Sequence, residues 1–547
     1  MGKNYKEGWF MYKKYKKELF KSSIKLVVLT TSLSLIITIL EFISPLLVKR
    51  LIDNYSIEKN IKLSIYIIAG SYIVAISFKL LANYVTMKYY AIFKTREMKK
   101  LFHLMMCMDY TRLNKLEPTY VVDRIHGGIE TLFNLFSSSI STYIIASINI
   151  VLCLGVSFVV NKFITIVLLI IIPIQIIGNK KLNRKLGVMC EKLQETCAKN
   201  FSDILSITRE VDYIKQCKNS DSIISLLTPN IETINKANAE VGRFAKKVSI
   251  LLSDAITMIK SGMYIYITIL MLEGKITLSD FVFMELIINI FFPALNSIVN
   301  ADISMRDLKG VYTFIENDII NNLEQDGTKV LSQVKNVSFN LDHVGYENNV
   351  IIESGSFEAK QGDIIMIQGK SGCGKSSLMK GLVKFLPIKG ISINGIPISE
   401  YTNESLREKI VFFSQNVPII AGTLEDNILL GDESRRKRLS LLDQLDYFKK
   451  FKDRGLDSRI QENGSNLSGG DKQKIALTRA FLDQSEIIIL DEITNSIDST
   501  TAVEIIQEIL KLYKNKIIFM ISHDNYVEQF CNKKVLIEDK KVKEVAM

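Results

Sequence analysis

Six apolar stretches, near residues 26–48, 63–85, 133–159, 163–178, 248–272 and 280–300, constrain this chain more than any other feature. Each approaches the ~20 residues that an α-helix needs to cross a hydrocarbon layer. No water enters that layer, so every backbone N–H and C=O must be paired within the chain, and runs of this length do so as helices. The alternative is a set of long helices buried in a water-soluble core. A run such as Ile164-Thr-Ile-Val-Leu-Leu-Ile-Ile-Ile-Pro-Ile-Gln-Ile-Ile177 argues against it, because it is apolar all round.

Charge sets the orientation. Residues 1–25 hold eight Lys against two Glu, so the N-terminus is expected in the cytoplasm. The first stretch follows this basic segment and reads as a retained signal-anchor. Only Asn161-Lys162 separates the third and fourth stretches, which predicts a tight extracellular turn. Six crossings return the chain to the cytoplasm, so the expected location is the cytoplasmic membrane. The net charge of +11 fits basic inner loops and an anionic inner leaflet, and needs no nucleic acid. Phe10 to Phe20 mixes Lys with aromatic residues and reads as a helix lying against membrane lipids rather than an RNA-binding stripe. Seven Cys without paired spacing predict reduced thiols and no metal cluster.

Polar groups inside apolar spans are costly in lipid and usually face a cavity. Glu41, Lys79, Asp254, Lys260 and Glu285 qualify. Asp254 and Lys79 fit a place near the membrane surface equally well. Glu41 and Glu285 sit deeper and are candidates for lining a transport path, where acid would favour a cationic or amphipathic cargo.

The chain then changes character. With 547 residues it exceeds the size at which one core stops growing. Asn-Asp and Asp-Gly mark turns at about 317–330. The expected domains are therefore an all-α six-helix transmembrane domain over 1–320 and an α/β domain over 330–547. In the second, Asp363-Ile-Ile-Met-Ile-Gln368 reads as a buried strand followed by Gly369-Lys370-Ser371-Gly372-Cys373-Gly374-Lys375-Ser376-Ser377. Glycines let such a loop turn tightly and aim N–H groups at phosphates, and the helix it opens favours anions. Lys375 supplies a charge to the β- and γ-phosphates of ATP, and the Ser376 hydroxyl suits Mg²⁺. A second apolar strand, Ile487 to Leu490, ends in Asp491 and Glu492. Asp491 would face the metal, and Glu492 is placed to act as general base toward the attacking water.

Between loop and acidic strand lies Leu467-Ser468-Gly469-Gly470-Asp471-Lys-Gln473, which resembles the signature of the ATP-binding-cassette (ABC) family. That resemblance implies ATP sandwiched between two cassettes, so that Ser468, Gly469, Gly470 and Asp471 would meet the partner's nucleotide. It implies a homodimer, or a heterodimer with another half-transporter. It also implies that Gln415 is a Mg²⁺ contact that senses the membrane domain. Ile493 to Asp498 resembles the loop that crosses to the opposite cassette. Ser522-His523-Asp524 resembles the switch whose histidine, His523, contacts the γ-phosphate. In the membrane half, long polar helical stretches at about 87–132 and 179–247 resemble the cytoplasmic extensions of six-span exporters. Asp109 to Arg124 and Ser206 to Lys218 resemble their two coupling turns.

Three positions depart from the family pattern. The signature ends in Asp471 where Gln is usual. Asp471 is open to two readings: an acid that weakens the sandwich, or a cap on the helix that follows. Leu341 stands where an aromatic usually stacks on adenine, with His343 and Tyr346 nearby. Ser496 and Ile497 replace the usual small Ala and Leu. Glu462 to Gly470 resembles peptide and bacteriocin exporters, so a peptide is the first choice of cargo, ahead of lipids and amphipathic drugs. No peptidase-like segment is seen, so a leader peptide is expected to be cut elsewhere. The competing reading is a mainly regulatory half of an asymmetric heterodimer. A soluble ATPase with the same cassette is excluded by the six spans.

Overall fold

A computed structural model describes residues 2–53, 61–116, 118–209, 211–216, 220–346, 349–414, 416–444, 455–461, 464–492, 499–512, 515–523 and 525–545. The chain divides into two compact units. One comprises residues 1–108 and 116–323; the other comprises Asp109–Lys115 and Glu324–Met547. A seven-residue segment from the first third of the chain thus groups with the second unit.

The first unit is helical. Its elements are α1 (Gly2–Asp53), α2 (Ile61–Met106), α4 (Pro118–Asn134), α5 (Ile140–Val160), α6 (Lys162–Arg209), α7 (Val211–Gln216), α8 (Ser220–Leu272) and α9 (Leu278–Phe314); α3 (Tyr110–Leu116) begins in the second unit. A π-helical turn, Leu135–Ser139, joins α4 to α5. Among the described residues, six helical stretches are long and apolar enough to cross a membrane, and they coincide with the six runs read from sequence, the sixth ending one residue earlier at Val299. The helices α2, α6 and α8 run well beyond those apolar windows, as the polar flanking stretches predict.

Asn161 makes the α5–α6 turn. Its extended backbone (φ −155°, ψ 117°) stops α5. Its Oδ1 accepts from the N–H groups of Phe163 and Ile164 at 2.9 and 3.2 Å, satisfying two donors that open α6. The core of the unit is a cluster from α5, α6, α8 and α9 around the fully buried Phe291 and Phe292. Across α1 and α2, Glu41 and Lys79 form a half-exposed ion pair of 2.7 Å. Lys79 and Glu41 thus match each other in charge.

The second unit is built on a ten-stranded sheet. Its strands are β1 (Asn336–Tyr346), β2 (Asn349–Lys360), β3 (Ile364–Gly369), β4 (Ile391–Ile393), β5 (Ile396–Pro397), β6 (Ile410–Phe413), β9 (Ile487–Asp491), β10 (Ile517–Ile521), β11 (Lys533–Glu538) and β12 (Lys541–Val545); β7 (Gly422–Thr423) pairs apart with β8 (Arg459–Ile460). The order is β5-β4-β1-β2-β12-β11-β3-β10-β9-β6. The strands β3, β10, β9 and β6 are mutually parallel, and β9 and β10 are buried at every position. Parallel strands covered on both faces need such unbroken apolar runs, which explains Ile-Ile-Ile-Leu in β9 and Ile-Ile-Phe-Met-Ile in β10. The helices are α10 (Lys375–Leu382), α11 (Asn403–Lys409), α12 (Leu424–Leu429), α13 (Glu433–Arg436), α14 (Gly469–Leu482), α15 (Ser499–Leu512) and α16 (Asn525–Glu528).

Candidate functional site

Sheet register assembles the site. Ile521 in β10 lies opposite Ile367 in β3 on one side and Asp491 in β9 on the other. The carboxyl ends of three neighbouring strands are therefore level. Residues far apart in sequence, the loop after Gly369, the pair Asp491-Glu492, and His523, emerge at one edge, where open parallel sheets bind ligands.

The loop takes the shape its glycines allow. Gly372 and Gly374 have φ of 80° and 101°, a region that L side chains rarely adopt. A Cβ on Gly374 would also collide with Ile351 Cγ2. Gly374 is the residue from which α10 starts. Lys375 is buried, and its Nζ donates to the carbonyl oxygens of Gly369 at 2.8 Å and Lys370 at 3.2 Å. The same Nζ lies 3.4 Å from His523 Nε2. His523 Nε2 is in turn 3.4 Å from Glu492 Oε1. Lysine, histidine and carboxylate thus form a connected set in front of the loop.

Ser376 hydrogen-bonds to Asp491. Burial pushes the Asp491 carboxyl above its ordinary value and the Glu492 charge adds to this, while the Ser376 hydrogen bond and the Lys380 and Lys375 charges oppose it. A divalent cation would supply the charge that burial withholds. The donor set of a hydroxyl and a carboxylate oxygen fits Mg²⁺, and Ser376 and Asp491 are the residues that would hold it. Magnesium would neutralise phosphate charge there. Glu492 has φ 51°, and its N–H donates to the Ile521 carbonyl at 2.9 Å. This left-handed backbone is uncommon for a side chain other than Gly, Asn or Asp. It turns the chain off β9, so that Asp491 and Glu492 leave the strand in different directions.

The signature residues stand on a separate element. Ser468 is the N-cap of α14; its Oγ accepts from the Asp471 N–H at 3.1 Å, and Asp471 Oδ2 accepts from the Ser468 N–H at 3.2 Å. Two orphan donors of the first turn are satisfied reciprocally, a complete capping box. This capping box supports the capping reading of Asp471. We expect Asp471→Ala to destabilise the cassette by about 1 kcal/mol, and Asp471→Gln to change ATP-driven dimerisation less than twofold, since Gln also serves at this box position. Thermal unfolding and ATP-dependent cross-linking on a Glu492→Gln background test both. Clearly tighter dimers from Asp471→Gln would restore the repulsion reading.

The position matching the family's adenine-stacking aromatic, Leu341, is buried in the sheet core, whereas His343 is exposed at φ 47° and paired with Asp342. Gln415, Asp524 and the stretch 493–498, with Asp498, lie outside the described residues.

Sequence reasoning missed what Tyr110, in the first expected turn, packs against. Asp109 Oδ1 caps α3, accepting from the N–H groups of Thr111 and Arg112, both at 3.0 Å. Tyr110 then stacks on Phe385 with centroids 5.0 Å apart and planes 9° from parallel. Phe385 follows the end of α10, the helix that the phosphate loop opens. Lys380 lies over the Tyr110 ring at 5.6 Å. Arg407 lies over Phe385 at 5.8 Å and grips both oxygens of Glu324 at 2.7 Å. An aromatic just past a phosphate-loop helix is the one local signal, and it does not reveal its partner. The second expected turn, Ser206 to Lys218, contains α7 and groups with the first unit; Cys217 and Lys218 lie outside the described residues.

Comparisons with known proteins agree with this geometry. The family model described as ABC transporter matches residues 352–495, and that described as ABC transporter transmembrane region matches residues 27–295. The chain belongs to the ABC transporters. It is 26% identical over 427 residues to the ATP-dependent lipid A-core flippase 2 of Colwellia psychrerythraea, covering 74% of this chain and 71% of that protein. It is 25% identical over 468 residues to the sublancin-168-processing and transport ATP-binding protein of Bacillus subtilis, covering 79% of this chain and 63% of that one. The lactococcin-G-processing and transport ATP-binding protein of Lactococcus lactis matches at 26% over 359 residues, 62% of this chain and 50% of that protein. The chain thus spans one half to two thirds of the length of these two bacteriocin transporters. A bacterial Atm1-family ABC exporter with ATP bound superposes with a TM-score of 0.81 over 97% of this chain and 95% of that one, at 16% identity, a likeness of fold. The chain is a multi-pass membrane protein, and ATP hydrolysis coupled to transport is the activity of its class.

Proposed function

We propose that this chain is one half of a dimeric exporter that uses ATP to move a peptide outward across the cytoplasmic membrane. The observation that carries the coupling is the Tyr110–Phe385 stack. It ties a segment flanked on both sides by membrane-domain helices to the back of the phosphate-loop helix, so movement of that helix on ATP binding has a rigid aromatic contact to act on. Two ATP bound between two cassettes, each meeting one chain's loop and the other's Ser468-Gly469-Gly470, would close the pair. Hydrolysis assisted by Glu492 would release it. The N-terminus and cassette lie in the cytoplasm on this reading.

Likeness to bacteriocin transporters supports a peptide cargo. Likeness to a lipid A-core flippase favours a lipid as the second choice. The capping box of Asp471 weighs against a mainly regulatory half. The test is transport into inverted proteoliposomes holding the purified chain. ATP-dependent accumulation of a labelled Lys-bearing peptide is the expected result. Translocation of labelled lipid without peptide uptake would overturn the peptide assignment.

A further inference from the structure

Basic residues gather where two helices of the first unit leave their apolar stretches. In α6 the apolar stretch ends near 178, and residues 179–190 hold four Lys or Arg and no acid. In α8 the apolar stretch begins near 248, and residues 241–250 hold three Lys or Arg and no acid. Lys180, Arg184, Lys185, Arg243, Lys246 and Lys247 are exposed. Among the described residues, none of these six forms an ion pair. Further from the apolar stretch, α8 does match a cation: Lys236 Nζ lies 2.7 Å from Glu232 Oε2. The cluster is therefore a local excess of positive charge rather than the mixed charge of an ordinary solvated helix.

We propose that this cluster binds the headgroup of an anionic phospholipid. The two helices bring the charges to one level. The Lys185 ammonium lies over the Phe244 ring at 5.0 Å, which sets the basic segment of α6 beside that of α8. At about 1.5 Å per residue, Arg184 is about 9 Å beyond the end of its apolar stretch and Lys247 about 2 Å. Helical side chains lean toward the helix N-terminus. On α6 that is toward the apolar stretch and on α8 away from it, so the two sets converge between those limits. The polar layer of a bilayer lies at this depth, about 5–8 Å thick on each side of the hydrocarbon. Arg184 and Arg243 present forked donors suited to phosphate, and the lysines add point charges. Directly beyond the cations the surface is apolar: Ile174 and Ile177 of α6 and Ile250 and Leu251 of α8 are exposed. A soluble anion would use the charges alone, whereas a lipid uses both surfaces, its phosphate on the cations and its acyl chains along these side chains. The leaflet is the cytoplasmic one on the orientation proposed above.

The experiment uses the full chain with three probes: phosphatidylglycerol, phosphatidylcholine and inorganic phosphate. Native mass spectrometry in detergent reads the half-saturating concentration of each lipid. Phosphatidylglycerol should bind at least fivefold more tightly than phosphatidylcholine. In Arg184→Gln/Lys185→Gln/Arg243→Gln/Lys247→Gln that preference should fall below twofold. Removing as many charges near the N-terminus, in Lys14→Gln/Lys17→Gln/Lys21→Gln/Lys25→Gln, should leave it within twofold of wild type. Equal loss in both variants would mean that net charge, not a site, sets the preference, and would overturn the proposal. Should the first variant not fold, the pair Arg184→Gln/Arg243→Gln replaces it: at least a halving of the preference is expected, and an unchanged preference would overturn the site. Lys246→Cys in phosphatidylcholine nanodiscs should react with an uncharged water-soluble maleimide, located by mass spectrometry, and at least threefold more slowly once phosphatidylglycerol makes up about a third of the lipid. Absence of reaction in phosphatidylcholine alone would mean that a second copy of the chain covers the face, and would overturn the lipid site. Equal slowing by millimolar inorganic phosphate would assign the cluster to a soluble anion and overturn it too. Both faces of a nanodisc carry the same lipid and neither readout involves transport, so the site and the export reading stand or fall separately.

Discussion

Replacing Glu492 with Gln is expected to lower steady-state ATP hydrolysis by about 10²–10⁴-fold while ATP binding stays within a few-fold of wild type. The carboxylate follows the strand end that carries Asp491, and it lies 3.4 Å from His523 Nε2. Its backbone is held at φ 51° by the hydrogen bond to Ile521. Gln keeps size, backbone and donor–acceptor shape but cannot take a proton, so the loss reports proton transfer rather than collapse of the site. The range corresponds to about 3–5 kcal/mol of barrier. Single-turnover hydrolysis and equilibrium ATP binding, measured side by side, provide the check. Phosphate release near the wild-type rate would assign the base elsewhere.

Lys375→Ala should act on the other parameter. The ammonium is buried, fixed by two loop carbonyls and close to His523. Held there, it meets incoming phosphates without reorganising. Charge-assisted hydrogen bonds contribute about 1.5–3 kcal/mol each. Losing two such contacts to phosphate should weaken ATP binding by about 10²-fold or more. The substitution also removes the donor that ties the loop back on itself, so the empty loop should exchange its amide hydrogens faster. Titration with a fluorescent ATP analogue measures the first effect and hydrogen exchange the second. An unchanged affinity would mean that the backbone amides alone hold the phosphates.

The two substitutions separate the site into a binding part and a chemical part, and the sheet explains why both exist at one place. Neither Lys375 nor Glu492 has sequence neighbours that suggest their proximity. They meet because β3 and β9 flank β10 in matched register.

The sequence by itself determined the classes of structure and the identities of the reactive groups. Apolar runs of bilayer length had one low-energy outcome, and the described residues hold six helices of that kind. The phosphate loop was legible because positive φ at Gly372 and Gly374 leaves glycine as the unstrained residue. The all-apolar strand at 487–490 was legible because burial on both faces allows no alternation. Asp471 was only half legible: a side chain three residues after Ser468 suits a capping box, yet the box exists only once α14 starts at Gly469. Tertiary structure alone decided the rest. That Asp109–Lys115 groups with the cassette, that Tyr110 meets Phe385, and that Glu41 is matched by Lys79 are contacts between segments distant in sequence. Such contacts depend on which faces pack, and local propensity carries no record of them.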